Sequence, residues 1–393
     1  TISLFGSSLV QYAIMWHITL ETQSGAMMTI YILAGLLPMF FVAPFAGVWA
    51  DRYSRRLLII LADALIAIAT LVVALLFLRG HDALWLLFAV AAIRAVGGGI
   101  QTPAVGAILP QIVPTEHLTR IGGINGSIQA IIVLVSPIAS GALLAVAEIE
   151  TIFFIDVVTA AIAIVVLGLL LKVPIHAKAL EERSTGYYAD LRQGWDYVNS
   201  HSFLKVFFTF NAVFFVLIAP AAFLTPLQVT RSFGPDVWRL TAIELAYAIG
   251  MMLGGGLMAS WGGFRNRTHT MGLSTVATGA LTLALGVVPL FSIYLIVMGL
   301  VGIAVPLFST PSTVLLQEKI EEGFLGRVFG IQVMISTSMM PLGMLVFGPM
   351  ADVIAIESML IVTGVLLFAQ GFLLLRSKTM LVAGEPASTP VPD

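Results

Sequence analysis

The sequence predicts an all-α membrane protein with twelve transmembrane helices in two six-helix bundles, and three observations carry that prediction. The 393 residues are 59% hydrophobic and 10% charged, with a mean hydropathy of +1.02, and a water-soluble core of this length cannot bury so much apolar surface. Many windows hold roughly 20 mostly apolar residues, enough to cross a hydrocarbon layer about 30 Å thick at about 1.5 Å per residue. The second half of the chain also repeats landmarks of the first.

In order, the expected spans are 1–21, 24–48, 57–78, 84–108, 122–147 and 151–172, then 203–227, 237–260, 269–289, 291–316, 328–351 and 357–376. The period-2 alternation of a membrane barrel is absent. The chain opens at Thr1 inside an apolar stretch, so a short cytosolic stub is expected to precede the first helix, and the opening does not have the pattern of a signal peptide. There are no cysteines, which removes disulfides and thiolate chemistry, and the six histidines are scattered, so no metal site is expected.

Lys and Arg fall in alternate loops: Arg52, Arg55 and Arg56, then Arg120, then the stretch 172–205, then Arg265 and Arg267, then Lys319 and Arg327, then Arg376 and Lys378. The opposite side carries Arg79, Arg231 and Arg239. The positive-inside rule therefore places both termini and the central loop in the cytoplasm, as an even number of spans requires.

The long polar stretch after Lys172 divides the chain into 1–172 (first bundle), 173–202 (cytoplasmic linker), 203–378 (second bundle) and 379–393 (tail). Within the linker Tyr187, Tyr188, Leu191, Trp195 and Val198 recur at helical spacing opposite Asp190, Arg192 and Asn199, which predicts an interfacial amphipathic helix. The tail ends in GEPASTPVPD, Pro-rich and without apolar periodicity, so disorder is expected.

Thr102-Pro103 precedes Arg120 much as Thr310-Pro311 precedes Arg327, and basic loops (47–56 and 262–267) follow the second helix of each half. Such a duplication suits a transporter, because two similar bundles can rock about a central site and open it to each side in turn.

The loop after the second helix reads GVWADRYSRR, so Gly47, Asp51, Arg52, Arg55 and Arg56 form GxxxDRxxRR. This pattern resembles motif A of the major facilitator superfamily. Arg94 followed by Gly97, Gly98 and Gly99 resembles motif B, and SPIASG (136–141) resembles the antiporter motif C. The latter keeps Pro137 and Gly141 but has Ser136 and Ser140 where glycines are usual. PQIVPTEHLTRIGG, FFIDVVTAAI and QEKIEEGFLGRVFG resemble the macrolide-efflux branch of the third drug:proton antiporter family, over nearly the whole chain. The resemblance implies export of macrolide-like or other amphipathic drugs. In physical terms Asp51 lies at a helix end where a carboxylate facing another helix's N-terminus gains about 0.3–2 kcal/mol, enough to act as a cytoplasmic gate. Simple anchoring of the loop by its arginines is the plainer reading of the same charges.

Four ionisable residues fall inside spans and are the proton-coupling candidates: Arg94, Asp63, Asp156 and Glu244. A charge at mid-membrane costs about 2.5–3.5 kcal/mol, so Arg94 must meet a partner or water. Asp63 could pair with the arginines near Arg56, and Asp156 could serve an interhelical hydrogen bond. Glu244 has only Arg239 nearby on its own helix, five residues away and pointing elsewhere, so it is the least neutralised. Gln11, Met15, Gln101, Gln129, Asn211, Phe214, Phe215, Gln332 and Met339 place polar, aromatic and thioether groups within spans and could line a cavity for amphipathic ligands. Helix–helix hydrogen bonding and packing explain the same residue types equally well.

These observations predict a secondary transporter of a bacterial inner membrane, exporting amphipathic drugs by proton antiport with alternating access. The expected partners are a small amphipathic substrate, protons and membrane lipids, with no nucleic acid, and the chain is expected to act as a monomer. No cofactor is expected, since the proton gradient supplies the energy and no GxxxxGK[ST] loop is present. Export of a siderophore or lipid-like metabolite is the alternative within transport. An intramembrane enzyme would need a nucleophile or metal set, and neither HExxH nor GxSxG occurs.

Overall fold

The computed structural model describes residues 2–113, 117–169 and 187–385. Every regular element among them is helical, as hydrocarbon demands: a chain with no water to bond must satisfy its backbone within each segment. Among the described residues, eleven stretches are long and apolar enough to span a membrane. The first helix, α1 (Ile2–Thr22), has the length of a span but carries Ser3, Ser7, Gln11, His17, Thr19 and Glu21. It packs against neighbouring helices, which bury Ser3 and Thr19, while Gln11 and Glu21 stay exposed.

The chain forms two compact units. The first holds Thr1–Gln23, Met27–Ser184 and Pro235–Thr241, and the second holds Ser24–Ala26, Thr185–Gly234 and Ala242–Asp393. Gln23 has φ 45°, a left-handed conformation that reverses the chain between α1 and α2 (Gly25–Arg52).

In the first unit, α3 (Arg55–Leu78), α4 (Leu84–Ile112), α5 (Leu118–Val146) and α6 (Ile149–Leu169) complete the set, with α1 against α5 and α6 and α3 against α4 and α6. Its core joins Leu9, Val10, Ile14 and Ile18 to Val73, Phe77, Leu87, Ile152 and Phe153. Ser54 caps α3, its hydroxyl accepting the Leu57 N–H at 3.4 Å.

The second unit contains α7 (Tyr187–Ser200), α8 (Ser202–Phe223), α9 (Thr225–Ser232), the greater part of α10 (Val237–Trp261), α11 (Arg267–Val287), α12 (Phe291–Lys319), α13 (Glu322–Met350), α14 (Ile356–Arg376) and α15 (Lys378–Ala383). Asn266 caps α11 as Ser54 caps α3, accepting from the Thr268 N–H at 3.0 Å. Helices α10 and α12 meet backbone to backbone: a Cβ at Gly250 would lie 2.0 Å from the Gly299 carbonyl oxygen. Such close approach of small residues replaces the hydrophobic drive that lipid removes.

Two details differ from the expectation. The amphipathic helix forms, but the stripe it buries is Gly194 and Val198, with Tyr197 stacked on Phe324 of α13 at 4.2 Å; Trp195 remains 49% exposed. The side chains of Tyr187, Tyr188 and Leu191 lie outside the described residues. The tail does not begin at 379 as an unstructured segment. Instead α15 docks beside α11, where Met380 is fully buried and its carbonyl accepts the Thr268 hydroxyl at 2.6 Å, while residues 386–393 lie outside the described set.

Candidate functional site

The first unit holds a line of intramembrane polar groups on α1, one turn apart at Ser3, Ser7 and Gln11, and two acidic side chains are built onto it. Asp156 of α6 is fully buried and forms an ion pair with Arg94 of α4. The Ser7 hydroxyl donates to the other Asp156 oxygen at 3.3 Å. The guanidinium also donates to the Thr70 hydroxyl at 2.7 Å and to the Ser7 carbonyl at 3.1 Å. The expensive charge at mid-membrane thus has a counter-charge and two further acceptors, and Asp156 serves as its neutralising partner.

Asp63 of α3 is differently placed. The Ser3 hydroxyl donates to its Oδ1 at 2.7 Å, and the Gln101 amide donates to the same oxygen at 2.9 Å. It is buried, and no Lys or Arg among the described residues forms an ion pair with it. The expected pairing with arginines around Arg56 does not form: Arg56 donates instead to the carbonyls of Leu167 and Gly168 at the end of α6. A cation at a helix C-terminus meets the negative end of its dipole.

Glu244 lies two turns into α10, half-buried, and no described residue reaches its carboxylate with a hydrogen bond or an opposite charge. Arg239, the nearest basic residue on that helix, pairs with Asp236 at 3.3 Å.

The remaining candidates separate into engaged and open groups. Asn211 is fully buried, donates to the Phe207 carbonyl and accepts from Gln332 at 3.3 Å, so this pair joins α8 to α13. Phe214 stacks on Phe308 at 4.3 Å and serves packing, with Phe215 beside it edge-on. Gln101 is committed to Asp63. Gln11 and Gln129 are exposed, and Met15 and Met339 half-buried, leaving these four open to a ligand. Pro137 lies inside α5, and a Cβ at Gly141 would fall 2.0 Å from the Thr241 hydroxyl, so that glycine allows close packing. In the motif A loop Arg55 begins α3, half-buried, while the side chains of Gly47, Asp51 and Arg52 lie outside the described residues.

A further polar cluster was not anticipated. In the second unit Asp352, just beyond α13, accepts the backbone N–H groups of Gly25 and Ala26 at 2.7 and 3.1 Å, the Ser24 hydroxyl at 2.9 Å and Arg231 at 3.3 Å. Burial pushes its carboxyl upward, but those donors outweigh it and hold Asp352 below the usual carboxylate range. Among the sequence signals, the hydroxyl spacing on α1 could have disclosed Ser3 and Ser7; nothing local to Asp352 marks its role.

An all-helical chain with two compact units and intramembrane charges compensated by neighbouring helices is a polytopic membrane transporter, and this one belongs to the Major Facilitator Superfamily, whose pattern matches residues 1–344. It is 28% identical to Macrolide efflux protein A of Streptococcus pyogenes over 368 residues, which is 93% of this chain and 91% of that protein. It is also 29% identical to Macrolide efflux protein A of Enterococcus faecalis over 321 residues, 81% of this chain and 99% of that one. The Multidrug efflux pump Tap of Mycobacterium tuberculosis is 23% identical, covering 94% of this chain and 89% of its own length. Among solved structures, a bacterial homologue of the human lysosomal transporter Spinster, inward-facing and unoccupied, matches with a TM-score of 0.70 at 13% identity, covering 99% of this chain and 98% of that one. A bacterial homologue of the iron transporter ferroportin matches with a TM-score of 0.69 at 16% identity, covering 95% and 98%. These two likenesses concern the fold alone.

Proposed function

We propose that this transporter exports macrolide-like and other amphipathic drugs across a bacterial cytoplasmic membrane by proton antiport with alternating access, both termini inside and the motif A loop as its cytoplasmic gate. The similarity to macrolide and multidrug efflux proteins supports the substrate class. The observation that carries the coupling is the contrast between Asp156, neutralised by Arg94, and Glu244, which no described residue compensates. A carboxyl without a fixed counter-charge can exchange a proton as its surroundings alternate between lipid and water, whereas a paired one already has its partner. Asp63, bonded only by neutral donors, is the second candidate.

One proton moving through a total force of roughly 150 mV supplies about 3.5 kcal/mol, enough for a several-hundred-fold drug gradient. The alternative of exporting an acidic siderophore would call on Arg94 as its anion-binding group, and that guanidinium is already spent on Asp156.

The test is drug-stimulated proton movement in proteoliposomes holding the purified chain and a macrolide. The parent should couple the two fluxes, and Glu244→Gln should lose uphill, pH-dependent efflux while retaining downhill exchange. PH-dependent accumulation by Glu244→Gln equal to the parent would remove Glu244 from the coupling and leave Asp63 in its place.

A further inference from the structure

We infer that a cleft on the open side of α11 and α12 is the seat of one anionic phospholipid, with an acyl chain in the cleft and the headgroup at Arg265. The cleft has a volume of about 420 Å³ and lies wholly within the second unit. Its wall on α11 runs from Thr270 through Leu273 and Ala277 to Leu281, and its wall on α12 runs from Leu300 to Leu307.

The lining is hydrocarbon in character. Its two hydroxyls face protein: Thr270, buried, accepts the Phe264 N–H at 2.9 Å, and Ser274, also buried, donates to the Ala304 carbonyl at 2.7 Å. A polar ligand would find few partners there, and burying its polar groups unpaired is unfavourable. Leu273 and Leu300 nonetheless remain 51% and 44% exposed, so the cleft is open and apolar.

The depth fits one leaflet. From Thr270, three residues into α11, to Leu281 is eleven residues, or about 16 Å, close to half of a hydrocarbon core of about 30 Å. The cleft therefore starts at headgroup depth on the side of the basic loop and ends near the midplane. Trp261 and Phe264 flank that mouth edge to face, with ring centroids 4.8 Å apart, as aromatic side chains do at the membrane interface.

The charge at the mouth selects the headgroup. Arg265 follows Phe264 directly, is exposed, and has no partner among the described residues. Its neighbour Arg267 is held by Glu318 at 3.1 Å, and Lys319 donates to the Glu385 carbonyl. Of these three basic residues Arg265 is thus the one left to meet a phosphate, in the manner of basic pockets between transmembrane helices.

The test is native mass spectrometry of the purified, delipidated chain titrated with dioleoyl phosphatidylglycerol and, separately, with dioleoyl phosphatidylcholine. The parent should retain one phosphatidylglycerol about fivefold more tightly than phosphatidylcholine, the preference expected from one basic side chain at the surface. Arg265→Gln, an exposed change, should abolish that preference, and Ala280→Trp, which fills the cleft, should weaken both lipids. Parent-like binding by both variants would overturn the inference, as would one-for-one displacement of the bound phosphatidylglycerol by a macrolide, since the cleft would then be a drug site.

Discussion

Replacing Asp156 with Asn isolates the work done by the buried ion pair. The change keeps the volume and removes the charge, leaving Arg94 with the Thr70 hydroxyl and the Ser7 carbonyl but no counter-ion. Removing one partner of a buried pair costs about 3–5 kcal/mol, and a lone charge at mid-membrane costs about 2.5–3.5 kcal/mol on insertion scales. Because two neutral acceptors remain, the low end, about 3 kcal/mol, applies here. That corresponds to a folded-to-unfolded ratio lowered by about 150-fold. The assay is loss of helical circular dichroism under titration with a denaturing detergent, run on the parent, Asp156→Asn, Arg94→Gln and the double variant. Each single variant should be destabilised, and the double variant should recover most of the loss, since it leaves no uncompensated charge. A double variant as unstable as the sum of the singles would show that the two residues do not act as a pair.

Three other outcomes are expected. Because the Asp352 carboxyl is held below its usual range, its contribution is present in full above about pH 4, its ordinary value, and is lost as the pH falls through the lowered value; Asp352→Asn should therefore be less stable than the parent at pH 7 by about 0.5–1 kcal/mol, and that gap should close toward pH 2. Gly250→Ala should cost about 1–3 kcal/mol in the same unfolding assay, since its methyl meets the rigid Gly299 carbonyl, whereas Gly98→Ala, with open space at that position, should be near neutral. A cysteine at Ser54 should resist an impermeant thiol reagent in intact cells while one at Asp82 should react, and the reverse pattern would invert the proposed topology.

The helices were legible because lipid leaves the backbone so little choice. An apolar run of about 20 residues must be helical wherever it sits, and α3, α10 and α14 fall within two residues of the spans read from hydropathy. The pairing of polar side chains was not legible to the same degree. Whether Asp63 meets Arg56 or Gln101 depends on which faces of α1, α3 and α4 turn toward one another, and hydropathy alone does not fix that. The identity of the in-membrane charges was plain, but their division into a compensated pair and uncompensated carboxyls required the packing. Asp352 escaped for a similar reason, because its donors Gly25 and Ala26 are more than 300 positions away in the chain.

The pairing of Arg94 with Asp156 also has an electrical consequence. A membrane voltage pulls on net charge, and 100 mV would bias an isolated arginine moving across the field by about 2.3 kcal/mol. Locked to Asp156, Arg94 moves as part of a body whose charges cancel, so the voltage has no purchase on it. The protein can then carry a cation at mid-membrane without becoming a voltage sensor. In the proposed antiport cycle, the accompanying current is then set by the charge on the cargo and by the proton on an uncompensated carboxyl.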